Sequence, residues 1–181
     1  LFMVRIQTLL EHLVRHISDP GEVLWLLNNE VAKRNPSNMF AAMQCALFDA
    51  KRGELLLANA GHLPPRIITR SGTVREVALN KTMVAGVFDF SDTNPYQSVR
   101  YPWDTGETWL FYTDGVTEAT ASDGKQFGAD RLTSACAEMA LSPEKMIEKI
   151  ERARLAFIGN AVQSDDVTIV AVTRLEKEPE Q

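Results

Sequence analysis

The sequence predicts an α+β fold in which helices pack on antiparallel β-sheets. Two amphipathic helical segments come first, hairpin-linked strand patterns follow, and two further helices precede a last β-branched strand. Segregated runs of this kind favour helices packed on antiparallel sheets over an alternating parallel fold. The chain has 181 residues. A chain of that length buries roughly 70% of the surface that it exposes when unfolded, so a sizeable core is expected.

The first two helices are marked in different ways. Apolar residues recur at helical spacing from Ile6 to Ile17, but no Ser, Thr, Asp or Asn precedes them as an N-cap. We therefore expect residue 1 to lie inside or just before a helix of a longer protein. The second helix is predicted to start after Asp19, an N-cap that a proline and a capping-box glutamate follow, and to stop before Asn35-Pro36.

Strand patterns fill the middle of the chain. They are the apolar or alternating runs at 39–48, 55–58, 66–69, 73–77, 97–101 and 108–113, and turn residues join them. Helical spacing returns at 128–140 and again after Ser142-Pro143, and Val167 to Thr173 form the last strand. These elements predict one domain, followed by a charged tail at 176–181.

The composition is that of an ordinary globular protein, with 45% hydrophobic and 24% charged residues. No apolar run approaches the ~20 residues that span a bilayer, so we predict no membrane insertion. The net charge of -5 comes without a basic stripe, which argues against a nucleic-acid partner. Cys45 and Cys136 form no C-x-x-C pair and lie in apolar surroundings, which is typical of reduced core residues in a cytoplasmic protein.

Two short segments place acidic residues at the ends of predicted strands. Asp114 and Gly115 follow the strand at 108–113, where the carboxylate has little steric cover. Taken alone, an Asp-Gly pair is better explained as a turn. Asp165 and Asp166 come just before the last strand. Because adjacent carboxylates repel each other, a bound cation would explain this pair about as well as a solvated turn in which Asp166 caps local amides.

A metal site requires the fold to bring these segments together. If it does, the carboxylates of Asp114 and Asp165 suit a hard divalent ion such as Mg²⁺ or Mn²⁺. A third segment, Asn59 to Pro65, interrupts two strands, and its Gly61 permits an unusual backbone. His62 in that segment could shuttle protons or orient a ligand. A lone histidine in a turn is more often a structural hydrogen-bonder, and we keep that interpretation as the favoured one.

These segments resemble the metal-dependent protein serine/threonine phosphatases of the PPM, or type 2C, family, in its bacterial SpoIIE-like and RsbU-like branch. The resemblance is carried by N-A-G-H-L-P-P at 59–65, L-F-Y-T-D-G-V-T-E-A at 110–119, F-G-A-D-R-L at 127–132 and D-D-V-T at 165–168. Several motifs in the same order are far more specific than any one alone. The resemblance assigns residues 1–175 to one phosphatase domain of this type.

The resemblance implies a sandwich of two antiparallel sheets flanked by helix pairs, with a site for two Mn²⁺ or Mg²⁺ ions at one edge. Asp114 and Asp165 match metal-ligand positions of the family, and no catalytic residue beyond the metal ligands is implied. Positions next to the metals or the substrate are implied for Gly115, Asp166, His62 and Asn59. The family's other metal-binding acids lie in an upstream strand of the G-D-[FY]-x-D type, which this sequence does not contain. We therefore expect the domain to be truncated at its start.

The activity that the resemblance implies is dephosphorylation of phosphoserine or phosphothreonine on a bacterial regulatory protein, an anti-sigma-factor antagonist of the STAS type. The implied partners are that phosphorylated antagonist, an upstream sensor or receiver domain of the same protein, and a second copy in a homodimer. The alternative is a non-catalytic adaptor that keeps the fold for protein binding in signalling. Asp114 and Asp165 favour the enzyme, because an adaptor has no need of two acids at a sheet rim. A domain that only dimerises or senses is a third option.

Overall fold

The computed structural model describes residues 1–138, 142–163 and 165–176. In chain order its helices and strands are α1 Phe2–Leu13, α2 Pro20–Ala32, β1 Met43–Asp49, β2 Glu54–Ala60, β3 Arg66–Ile68, β4 Val74–Glu76, β5 Val99–Pro102, β6 Thr108–Tyr112, α3 Asp114–Thr117, α4 Gly128–Cys136, α5 Pro143–Ile158 and β7 Ile169–Thr173. They form two compact units, the first of Leu1–His62 with Leu79–Trp103 and the second of Leu63–Ala78 with Asp104–Gln181. Each unit contains one antiparallel sheet with helices, so the predicted α+β class with two antiparallel sheets is confirmed.

The first unit is built on a three-stranded sheet in the order β1-β2-β5. The predicted hairpin between β1 and β2 is confirmed, and Asp49 pairs with Glu54 at its closed end. Strand β2 is central, and its Leu55 and Leu57 are buried. At the open end of the β1–β2 ladder, Met43 pairs with Ala60, which belongs to the Asn59–Pro65 segment.

Helix α2 packs on this sheet and begins where the sequence predicted. The Asp19 side chain accepts a hydrogen bond from the main-chain nitrogen of Glu22 at 2.9 Å, and Pro20 is the first helical residue. Leu24, Leu27 and Val31 of the helix form a core cluster with residues of β2. Helix α1 has no side-chain cap, as predicted, but it ends at Leu13 rather than at Ile17.

The second unit is built on a four-stranded antiparallel sheet in the order β4-β3-β6-β7. Helices α4 and α5 contribute Leu132, Cys136, Met146 and Ile150 to the core cluster of this unit. Strand β6 lies between β3 and β7, and its Trp109 and Leu110 are fully buried. Helix α4 ends at Cys136, earlier than the predicted 140, and residues 137 and 138 are not helical. Residues 139–141 and the tail at 177–181 lie outside the described residues.

The strand predicted from residue 39 begins only at Met43, because the preceding segment pairs elsewhere. The Asn35 side chain accepts a hydrogen bond from the main-chain nitrogen of Met39 at 3.0 Å and donates one to the Gly86 carbonyl at 2.9 Å. Ala41 then forms an isolated antiparallel bridge with Ala85. The loop after residue 79 therefore takes the hydrogen-bonding groups that a longer β1 would have used.

Asn28 on α2 holds the same loop from inside the core. Its side chain is fully buried, accepts a hydrogen bond from the Gly86 nitrogen at 2.8 Å and donates one to the Phe88 carbonyl at 2.9 Å. The Tyr96 hydroxyl also donates to it at 3.3 Å. A buried amide whose donors and acceptor are all used fixes loop geometry, whereas its loss leaves several polar groups without partners.

We predict that Asn28→Ala lowers the free energy of unfolding by at least ~2 kcal/mol, since each buried group that loses its partner costs about 1–3 kcal/mol. The matched control is Asn80→Ala, which changes an exposed asparagine in the same unit and should stay within about 0.5 kcal/mol of wild type. Urea unfolding followed by circular dichroism measures both. Equal stability of the two variants would contradict the prediction.

Candidate metal centre

Asp114 lies at the point where β6 gives way to a single helical turn. Thr113 is the N-cap of α3, and Asp114 is its first residue. The Asp114 side chain is exposed, and its Oδ1 accepts a hydrogen bond from the Gly115 nitrogen at 3.0 Å. Taken alone, the Asp-Gly pair in the sequence predicts a turn. The fold instead makes it the start of α3, because Val116 is drawn into the core.

Asp165 and Asp166 lie just before β7, and both side chains are exposed. Oδ1 of Asp165 accepts a hydrogen bond from the Asp166 nitrogen at 2.7 Å. The sequence-based alternative had Asp166 capping local amides, whereas in the structure it is the Asp165 side chain that accepts a hydrogen bond from a local amide. Strand β7 starts at Ile169, two residues later than predicted.

The two acidic segments lie side by side in the second unit. Strands β6 and β7 pair from Thr108 opposite Thr173 to Tyr112 opposite Ile169, so the end of β6 meets the start of β7. Beyond the strands, Thr113 Oγ1 donates a hydrogen bond to the Asp166 carbonyl at 3.0 Å and accepts one from the Thr168 nitrogen at 3.0 Å. The fold therefore places the segments of Asp114 and Asp165 next to each other, although they are far apart in sequence.

Gly115 allows the closest approach between these segments. A Cβ atom added to Gly115 would lie 2.4 Å from the carbonyl oxygen of Asp166, a distance that real Cβ atoms do not show. Only glycine fits this position without moving one backbone away from the other. Close packing against Asp166 therefore explains the glycine of the D-G motif without any need for a turn.

Asn59 and His62 belong to the first unit. Asn59 Oδ1 accepts a hydrogen bond from the His62 nitrogen at 3.1 Å, and the Asn59 carbonyl accepts one from the Thr82 hydroxyl at 2.8 Å. Gly61 has a φ of 70°, as the predicted unusual backbone requires. The Asn59 side chain therefore closes a turn, and the main chain of His62 is part of that turn.

The carboxylates of the second unit fit a hard divalent cation in their chemistry. Asp114, Asp165 and Asp166 are exposed at one end of the sheet, and the hydrogen bonds described for Asp114 and Asp165 use only one oxygen of each carboxylate. Oxygen ligands of this kind, completed by water, are those that Mg²⁺ and Mn²⁺ take. Within residues 1–138, 142–163 and 165–176, no group of three or more His, Cys, Asp or Glu side chains is arranged to hold a metal ion.

Sequence reasoning missed Thr113. Its hydroxyl forms two of the hydrogen bonds that join the acidic segments, yet a threonine at the end of a strand carries no distinctive pattern. The available signal was its place beside Asp114 at the end of an apolar run. A hydroxyl there can donate and accept at once, so it adds two hydrogen bonds to the main-chain bond from the Thr113 nitrogen to the Thr168 carbonyl.

A family model described as stage II sporulation protein E, SpoIIE, matches residues 1–175. The chain belongs to the SpoIIE family. Protein IcfG of Synechocystis sp. is 30% identical over 136 residues, which are 75% of this chain and 21% of IcfG. The phosphoserine phosphatase RsbU of Bacillus subtilis is 24% identical over 155 residues, which are 86% of this chain and 45% of RsbU. The chain thus spans less than half the length of either relative.

Solved structures share the fold of this SpoIIE-family chain. The SiaA-PP2C domain of Pseudomonas aeruginosa has a TM-score of 0.79 at 18% identity, covering 95% of this chain and 68% of that one. The RsbU and RsbW domains of a Mycobacterium tuberculosis protein have a TM-score of 0.75 at 21% identity, and the match covers 98% of this chain and 48% of that one. The Mn-presoaked phosphatase domain of Bacillus subtilis SpoIIE has a TM-score of 0.64 at 15% identity, and the match covers 95% of this chain and 73% of that one. The predicted type 2C phosphatase fold is therefore confirmed.

The motifs at 59–65, 110–119, 127–132 and 165–168 predicted a metal-dependent serine/threonine phosphatase, a class of hydrolases. The resemblance on which that prediction rested is confirmed by the family match. Among the helices of the described residues, none is long and apolar enough to cross a membrane.

We predict that Gly115→Ala separates the acidic segments. The new methyl group must push the main chain of Asp166 away, which should lower the free energy of unfolding by about 1–3 kcal/mol. It should also speed amide hydrogen exchange at Thr168, whose nitrogen donates to Thr113. Urea unfolding and exchange measured by NMR check the two effects.

The matched control is Gly124→Ala in the same unit. A Cβ atom there meets nothing within 4 Å, although φ is +81°, so the change should cost about 1–2 kcal/mol of backbone strain. Exchange at Thr168 should stay as in wild type. If Gly115→Ala also leaves Thr168 exchange unchanged, the close approach does not hold the segments together.

Proposed function

We propose that this SpoIIE-family chain is the part of a phosphatase that carries Asp114 and Asp165 as metal ligands, and that the enzyme removes phosphate from phosphoserine or phosphothreonine of a regulatory protein. The observation that carries the proposal is the junction of the two acidic segments, which brings two exposed carboxylates to one end of the sheet. Mn²⁺ and Mg²⁺ are the proposed ions.

Each residue of the site has a distinct part in this proposal. Asp114 and Asp165 would hold the ions through their carboxylates, and Asp166 would add negative charge beside them. Gly115 would let the two main chains approach closely enough for both acids to serve one centre. Bound divalent ions would supply the positive charge that activates a water for direct attack on phosphorus. His62 and Asn59 are proposed to lie near the substrate.

The proposed substrate is a phosphorylated anti-sigma-factor antagonist of the STAS type. Support comes from the relatives: RsbU is a phosphoserine phosphatase, and one structural neighbour holds RsbU and RsbW domains. An upstream sensor or receiver domain in the same protein and a homodimer are proposed as further partners, and we propose a cytoplasmic location for the reaction. We also propose that the domain extends over residues 1–175 and needs acids from a preceding segment to complete its two-ion site.

We predict that Asp114→Asn or Asp165→Asn, made in the full-length protein, lowers Mn²⁺-dependent phosphate release from a phosphoserine peptide by more than about 100-fold. Loss of an outer-sphere partner already costs up to about 100-fold, and loss of a ligand should cost more. Both side chains are exposed, so folding should be preserved. Phosphate release is measured across a Mn²⁺ titration.

The matched control is Asp130→Asn, an exposed acid of α4 in the same unit, which should keep wild-type turnover. Turnover like wild type in either site variant would refute the metal-ligand assignment. If wild-type protein itself releases no phosphate at any Mn²⁺ concentration, the adaptor becomes the better account of the chain.

A further inference from the structure

Arg154 occupies a core position on α5 where an apolar side chain is expected. The buried residues of this helix are Met146, Ile150, Arg154 and Ile158, which recur every four residues. Arg154 is only 1% exposed. A charged residue in that stripe loses its hydration, so it must find partners inside the protein.

Glu151 supplies the first partner. Nε of Arg154 donates to one Glu151 oxygen at 2.8 Å, and Nη2 donates to the other at 2.5 Å. These hydrogen bonds lower the pKa of the Glu151 carboxyl. The pair joins a buried arginine to a partly exposed glutamate. Because the arginine is taken out of water, such a pair is often no more stabilising than an apolar residue of similar volume. Stability of the helix is therefore a weak explanation for an arginine at this place.

The second partner connects Arg154 to the candidate metal centre. Nη2 also lies 3.5 Å from Oε1 of Gln163, and Nε2 of Gln163 donates to the main-chain carbonyl of Asp165 at 2.8 Å. A continuous path thus runs from the buried guanidinium through one amide to the backbone that carries the Asp165 carboxylate. A primary amide suits this path, because it accepts from the arginine and donates onward at the same time.

The carbonyls of the acidic pair are held from two sides. Gln163 donates to the carbonyl of Asp165, and Thr113 donates to the carbonyl of Asp166. With both carbonyls fixed, the Asp165 carboxylate can change position mainly by rotating its own side chain. Metal sites need such support, because second-sphere hydrogen bonds set the orientation of the ligands.

We propose that Arg154 and Gln163 are positioning residues for Asp165, with Arg154 anchoring Gln163 and Gln163 fixing the Asp165 main chain. This inference rests on the proposed function, because positioning Asp165 matters only if that residue binds the metal. It predicts that removing the path weakens metal binding without a matching loss of stability.

The primary test is Gln163→Met in the full-length protein. Methionine has a similar length but can neither accept from Arg154 nor donate to Asp165, and residue 163 is exposed, so the fold should persist. The matched control is Gln126→Met, an exposed glutamine of the same unit. Mn²⁺ binding is measured from the EPR signal of free Mn²⁺, alongside Asp114→Asn and Asp165→Asn as reference variants.

We expect Gln163→Met to raise the dissociation constant for Mn²⁺ about tenfold, within the range that loss of a second-sphere partner costs. Its urea midpoint should match that of Gln126→Met, which should bind Mn²⁺ like wild type. In the metal-free protein, amide exchange in the 165–168 segment should rise for Gln163→Met alone. A merely structural role would instead shift the urea midpoint and leave Mn²⁺ affinity unchanged.

A second variant tests whether Arg154 acts through Gln163. Arg154→Met should weaken Mn²⁺ binding by a similar factor, and Arg154→Met combined with Gln163→Met should weaken it no further, because both break one path. Effects that multiply would show that the two residues act separately and would overturn the anchoring step. If Arg154→Met fails to fold, the Gln163→Met result alone decides the proposal.

The outcomes separate this inference from the function on which it rests. If both aspartate variants lose Mn²⁺ binding while Gln163→Met retains it, the positioning role is wrong and the proposed metal site stands. If neither aspartate variant changes Mn²⁺ binding, the proposed metal site fails, and the positioning role falls with it.

Discussion

The contact between Gly115 and the main chain of Asp166 is the constraint on which the candidate centre depends. Strands β6 and β7 are antiparallel neighbours, so the end of one meets the start of the other. Just past Tyr112 and Ile169, the main-chain nitrogen of Thr113 donates a hydrogen bond to the Thr168 carbonyl at 3.1 Å. The Thr113 hydroxyl adds two hydrogen bonds at the same place, and the missing side chain of Gly115 leaves room for the main chain of Asp166.

The centre combines a buried frame with exposed acids, and this division has a physical cause. Val116, the residue after Gly115, lies with Leu132 in the core cluster of the second unit, so packing helps to fix the backbone at the junction. The carboxylates of Asp114 and Asp165 remain in water, where an unpaired charge costs little. A cation that binds there meets ligands with a preset backbone, so less ordering is needed at the moment of binding.

Local signals predicted the elements with short-range causes. The cap at Asp19 and the prolines that open α2 and α5 act within one helical turn, so the starts of both helices could be read from the sequence. Positions set by distant partners were predicted less well. Residues 39–42 looked like a strand, yet Asn35 and Ala85 bind them outside the sheet. The burial of Arg154 could not be predicted from the sequence, because a periodic pattern treats arginine as a surface residue.

The sequence by itself determined the α+β class, the starts of α2 and α5, the β1–β2 hairpin and the acids that are candidates for a metal site. These features depend on periodicity, capping and charge, which are properties of neighbouring residues. Only the tertiary structure decided that Asp114 and Asp165 belong to adjacent segments, that Asp165 rather than Asp166 accepts the local amide, and that Arg154 and Gln163 contact this region. The first of these facts follows from strand pairing between residues more than fifty positions apart. No local pattern encodes such pairing, since it is the shared burial of β6, β7 and α5 that selects it.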